Sequence, residues 1–140
     1  MTQRPIKFRA WVREAKMMVS VIRIEFLKRP MRGKSDLRRI WWWDKEQGMD
    51  FDEYAETVDI MQFTGLHDKN GKDVFEGDIL SPGLREVSWQ RGEFGMGDGW
   101  YTESHELKTG YWTLSKTQTE DSEVIGNIYE NPEFIQSLKK

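Results

Sequence analysis

The stretch that decides the fold is Asp59 to Leu80, DIMQFTGLHDKNGKDVFEGDIL. Met61, Phe63 and Leu66 lie before the polar run Asp68, Lys69, Asn70 and Gly71, and Val74 and Phe75 lie after it. Apolar segments flanking such a run predict a β-hairpin. A two-residue turn that suits the twist of its strands needs positive φ at both central positions, and Asn followed by Gly tolerates this best. Asn70 and Gly71 are therefore read as the turn. Gly77 and Asp78 then re-aim the chain into Ile79 and Leu80, and Pro82 with Gly83 stops that next strand.

The same residues carry a family resemblance. MQFTGLHDKNGKDVFEGDIL, from Met61, is similar to the core signature of the YopX family of phage and prophage proteins. IKFRAWV at Ile6 to Val12 and VIGNIYENPE at Val124 to Glu133 match that family in the same order. The resemblance implies an SH3-type small barrel for the carboxy-terminal part and a phage or prophage setting. It implies no catalytic residues. The segments 29–43 and 91–119 depart from the family pattern, so an activity housed there would not be inherited by analogy.

At 140 residues the chain is long enough for one domain, or for a small barrel with an appended subdomain. A hydrophobic content of 37% with 7 Trp argues against disorder, and the large rings must supply the core volume. With no cysteine, disulfides, thiolate metal sites and cysteine nucleophiles are excluded. Charge interrupts every apolar run, so neither a signal peptide nor a membrane span is expected. The protein is expected to be soluble and cytoplasmic, in the host cell if the phage resemblance holds.

The net charge of -3 conceals an asymmetry: twelve Lys or Arg against three acidic residues through Trp43, and nine against twenty-one after it. One reading is a basic face for nucleic acid, with Arg29, Arg32, Lys34, Arg38 and Arg39 on phosphates beside aromatic rings. The other is that the oppositely charged halves compensate one another. The second is preferred, because an acidic remainder would repel phosphates that stray from the basic patch.

Ile6, Phe8, Ala10 and Val12 alternate with Lys7, Arg9, Trp11 and Arg13, the pattern of a half-buried strand with Ile6 and Phe8 inward. Met17 to Leu27 is a second strand with Met18, Ile22, Ile24 and Phe26 on one side. The two make a hairpin across Glu14 to Lys16. Lys28 to Arg39 reads as a long basic loop. In Ile40 to Trp43, Trp41 and Trp43 share one strand face and Trp42 opposes them. One of the three must then be exposed or held in an interface, unless both strand faces are covered within the chain. Trp11, Trp41, Trp42 and Trp43 are the candidate partner-binding anchors, tryptophan being enriched at binding hot spots. Asp44 to Glu56 reads as a solvated acidic connection. Short strands follow at Glu86 to Gln90, from Trp100, and at Tyr111 to Leu114, with a polar loop over Lys116 to Ser122. Val124 to Tyr129 closes the barrel, with a bulge or close backbone approach at Gly126. Asn131 is expected to cap a terminal helix that has Pro132 at its first position.

No motif for chemistry survives inspection. Counted as a calcium loop from Asp68, the sequence puts Lys72 and Ile79 where ligands belong and Asp73 where glycine belongs. Glu76 and Asp78 have a spacing open to paired carboxylates, yet with Gly77 between them they read as bend formers. His67 and His105 lack neighbouring ligands at metal spacing. Gly95, Gly97 and Gly99 match neither a dinucleotide fingerprint nor a phosphate loop.

The expectation is a mostly β protein: an amino-terminal β-hairpin region with a basic loop over 1–55, and an SH3-like barrel with a short terminal helix over 56–140. The expected role is a non-enzymatic binding module, an adaptor or modulator of a host or phage protein, without cofactor or metal. Nucleic-acid binding and self-association are the alternatives.

Overall fold

The computed structural model describes residues 5–29, 36–90, 98–107 and 110–136. The fold is mostly β, two antiparallel sheets with two short helices. The chain divides into two compact units, one of residues 7–61 and one of residues 62–140 with the first six.

The amino-terminal unit is an antiparallel meander of β1 (Phe8–Val12), β2 (Met17–Phe26), β3 (Leu37–Asp44) and β4 (Met49–Tyr54). A 3-10 turn (Ala55–Thr57) leads into β5 (Val58–His67), and the order is β4-β3-β2-β1-β5. β1 and β2 pair from Arg9↔Ser20 to Val12↔Met17, as the alternation predicts. Ile6 departs from that expectation: it precedes the strand and is 76% exposed, while Ala10 and Val12 fill the core. β2 departs too. Its register against β3 slips between Val21 and Arg23, where one extra residue re-aims the strand, and slips again between Glu25 and Phe26. Val19, Val21 and Ile24 lie in or against the core, and Ile22 and Phe26 are exposed.

The acidic segment after Trp43 is a strand rather than a connection. β4 pairs with β3 from Arg39↔Tyr54 to Asp44↔Met49, and Phe51 stacks on Trp42 with centroids 5.1 Å apart. An edge strand bearing Asp50, Asp52 and Glu53 discourages further pairing, a reason for acidic residues in a segment that hydropathy alone reads as loop. Arg13 fastens the β1–β2 turn to the start of β5. Its guanidinium takes both carboxylate oxygens of Asp59 at 3.0 Å and donates to the carbonyls of Glu56 and Val58.

In the carboxy-terminal unit the rest of β5 pairs with β6 (Asp73–Phe75). β7 (Asp78–Ser81), β8 (Arg85–Gln90), β9 (Gly99–Ser104) and β10 (Tyr111–Thr113) form a meander. α1 (Lys116–Glu120) then leads to β11 (Glu123–Asn127), and α2 (Glu133–Gln136) follows. The sheet order is β10-β9-β8-β7-β11. Four meandering strands, a short helix and a last strand returning beside the first is the connectivity of an SH3-type barrel. Val74, Leu80, Val87, Leu114 and Val124 make its core.

The hairpin at Asp68 forms, but not by the expected turn. Gly71 alone has positive φ (79°), and its N–H donates to the Asp68 carbonyl. Asp68 N in turn donates to Lys72 O, so the loop is a wider one closed by a glycine bulge. The organising residue is Asp68, which is buried. Its Oδ1 accepts from Asn70 N (2.8 Å) and Lys72 N (2.9 Å), and its Oδ2 from Val124 N on β11 (3.0 Å). Burial works to raise its pKa, but those three N–H donors and the nearby Lys72 charge outweigh it and hold the carboxylate below its ordinary value.

Gly126 behaves as expected. The β7–β11 register slips beside it, and a Cβ there would run into the Asn131 side chain and approach Phe134 to 2.9 Å. Asn131 itself is not a side-chain helix cap: its Oδ1 accepts from Asn127 N, pinning the end of β11. The predicted polar loop over 116–122 is helical at Lys116–Glu120, capped by Ser115 Oγ accepting from Gln118 N.

Candidate functional site

Alternation places the three consecutive tryptophans as predicted, and the core selects Trp42. It is 9% exposed, packed with Ile40 and Val58, and its indole nitrogen has no acceptor among the described residues. Trp42 is therefore a core residue and not a surface anchor. Trp41 is half-buried beneath cations, with the Arg23 guanidinium 3.7 Å and that of Arg39 4.8 Å from its ring centroid. Trp11 is half-buried on β1. Trp43 is the one of the four that opens to solvent, 53% exposed. With Met17, Met18 and Ser20 of β2 and Lys45 and Glu46 of the β3–β4 turn, it lines an open cleft of about 350 Å³.

The candidate phosphate contacts divide. Arg29 is exposed, whereas Arg32 and Lys34 lie outside the described residues. Arg38 pairs with Glu25 at 3.4 Å. Arg39 pairs with Asp52 at 3.0 Å and Glu25 at 3.8 Å, and lies over the Tyr54 ring as well as that of Trp41. Two of the five cations are thus compensated by carboxylates of their own sheet.

Three features of the carboxy-terminal unit escaped the sequence reading. Trp89 and Trp100, directly opposed on β8 and β9, meet edge to face at 5.1 Å and line a second cleft with Gln62 and Glu76. Glu86, Glu103 and Tyr111 stand in one cross-strand row, with His105 Nε2 3.0 Å from Glu86 Oε1. Burial, followed by the Glu103 and Glu86 charges, pushes the Tyr111 phenol above its ordinary pKa. The third is a cleft of about 580 Å³ between the β7–β8 turn, the His105–Leu107 turn and α1, lined by Arg85. Among the described residues no group of three His, Asp or Glu could hold a metal ion.

The YopX protein family matches residues 7–136, nearly the whole chain. The chain belongs to the YopX family. The crystal structure of protein EF1440 from Enterococcus faecalis is similar to it at 26% identity and a TM-score of 0.60, covering 95% of this chain and 99% of that one. No curated protein matches the sequence.

In this YopX-family chain Asp78 is 1% exposed and its Oδ2 accepts from Phe75 N at 2.7 Å. A carboxylate held that way shapes the bend before β7. Among the described residues no helix is long and apolar enough to cross a membrane.

Proposed function

We propose that this YopX-family protein is a non-enzymatic binding module that engages a host or phage protein in the cytoplasm through the Trp43 end of its amino-terminal unit. The observation that carries the reading is a tryptophan half open to solvent on a rigid strand, beside a cleft it shares with two methionines. A rigid ring provides a large contact area at little entropic cost, and methionine adapts its shape to a partner. The ion pairing of Arg38 and Arg39 ranks nucleic acid below protein as the partner.

The test is recovery of partners from host lysate by the wild type and by Trp43→Ala, with circular dichroism to check the fold. A hot-spot ring contributes about 2 kcal/mol, so Trp43→Ala should weaken recovery roughly thirtyfold. Equal recovery by the two, with folds intact, overturns the reading. Light scattering of the purified protein comes first, because a dimer lost in Trp43→Ala would identify the partner as a second copy of the chain.

A further inference from the structure

Arg85 is a partly buried cation whose described hydrogen-bond partners are neutral oxygens. It begins β8, half-buried, and lines the 580 Å³ cleft between the two turns and α1. Its Nε donates to Pro82 O at 2.9 Å and its Nη2 to Ser122 Oγ. With the Gln118 amide oriented to donate to Thr113 O, Gln118 Oε1 accepts from Arg85 Nη1 at 3.0 Å. A guanidinium has five N–H groups. Three here go to neutral oxygens, and the other two have no acceptor among the described residues. No described carboxylate oxygen lies within 4.0 Å of it, although Glu106 and Asp121 stand elsewhere on the cleft wall. Burial lowers the pKa of the Arg85 side chain, and no neighbouring charge among the described residues offsets that cost.

We infer that this cleft binds a carboxylate, received by the two unused N–H groups of Arg85 as a planar two-oxygen pair. A guanidinium fork matches that group in shape, and a partly desolvated cation without a counterion gains most from an anion. Charge selects a carboxylate over a phosphate. One arginine balances one negative charge, and a dianion would be opposed by Glu106 and Asp121. The cleft falls within the size range of small-ligand sites. It has room for more than a carboxylate, and the wall formed by Pro82, Gly83 and Leu107 is apolar. The carboxylate could be the free carboxy-terminus of a peptide or a small organic acid. This inference is independent of the Trp43 surface.

The experiment is a heteronuclear NMR titration of the full-length protein with four probes: acetate, a tripeptide with a free carboxy-terminus and a leucine side chain, the same tripeptide amidated, and inorganic phosphate. The resonances followed are Arg85 Nε–H and the amides of Gly83, Gln118 and Ser122. Saturable shifts are expected with acetate and with the free tripeptide, and at least roughly tenfold weaker binding with the amidated one. A free tripeptide that binds more tightly than acetate assigns the source to a chain terminus, and equal affinities assign it to a small acid. Arg85→Lys should weaken the carboxylate by about tenfold, because an ammonium keeps the charge and loses the fork. Absence of saturable shifts with both carboxylates, equal binding of the amidated peptide, or tighter binding of phosphate would overturn the assignment. The wild-type titrations decide the matter even if an Arg85 variant does not fold.

Discussion

In the amino-terminal unit Arg39 is met by Glu25 and Asp52 and lies over the rings of Trp41 and Tyr54, whereas Arg85 in the carboxy-terminal unit meets neutral oxygens among the described residues. The buried groups differ in the same way. The first unit hides a large ring, Trp42, among apolar side chains, and the second hides a carboxylate, Asp68, among backbone N–H groups. Charge on an open sheet face is balanced by other side chains, which are exchangeable. The buried Asp68 carboxylate is balanced by backbone N–H groups, which are not. Stability in the first unit should therefore track volume, and in the second it should track hydrogen bonds.

The largest effect should come from Trp42→Ala. Emptying that site removes a ring stacked on Phe51, and truncations of this size cost about 3–5 kcal/mol. Trp42→Phe should cost far less, within about 1.5 kcal/mol, since it keeps an aromatic ring and discards an indole N–H that has no acceptor among the described residues. Urea denaturation of the two variants checks the contrast. If they are equally destabilised, volume does not govern this unit.

Asp68→Ala should follow at about 2–4 kcal/mol, because it leaves three backbone N–H groups of the hairpin and β11 without their acceptor. Its pH dependence has a definite sign. The folded pKa lies below the unfolded value of 3.8, so the carboxylate's contribution is complete above that value. It is lost as pH falls from there through the folded pKa. Denaturation midpoints measured from neutral pH into acid should show a steeper acid decline for the wild type than for Asp68→Asn. Parallel declines would remove Asp68 from its organising place.

Gly126→Ala sharpens the comparison further. The added methyl meets the Asn131 side chain, which must give up its bond to Asn127 N, at a cost of about 1–3 kcal/mol. Because the clash and the lost bond involve one partner, Gly126→Ala and Asn131→Ala together should cost less than the sum of the two measured singly. Strict additivity would show that Asn131 is not the obstacle.

Much of this was legible before any coordinates, and what was not has a common cause. The alternation of Phe8 to Val12 and the opposition of Trp42 to its two neighbours are local, set by residues one or two positions apart, and the constraint at Gly126 comes from Asn131 and Phe134, five and eight positions on. The turn at Asn70 and Gly71 was half legible. Glycine was needed, but whether one or both central residues take positive φ depends on Asp68, and one of its hydrogen bonds reaches Val124, fifty-six positions away. The two slips in the β2–β3 pairing left no mark in composition, and Ile22 and Phe26 were placed on the wrong face. Ser115 with Gln118 three residues on did carry a capping signal, in a helix too short for periodicity to support it. Arg85 draws its partners from Pro82, Gln118 and Ser122, a set that only the return of α1 and β11 brings together.

The smallest effect belongs to the surface pairs. Arg39→Gln removes two ion pairs and two ring contacts from an open face, and such arrangements contribute about 0–1 kcal/mol. Half-molar salt should erase most of the ionic part, since the Debye length then falls well below the reach of surface charges. Asp68→Ala, whose lost bonds are buried, should show nearly the same cost at low and at high salt. Denaturing both variants at the two salt concentrations thus separates the ways the units hold their charges. A salt-insensitive Arg39→Gln would mean that the open face is held by packing around Trp41 and not by its ion pairs.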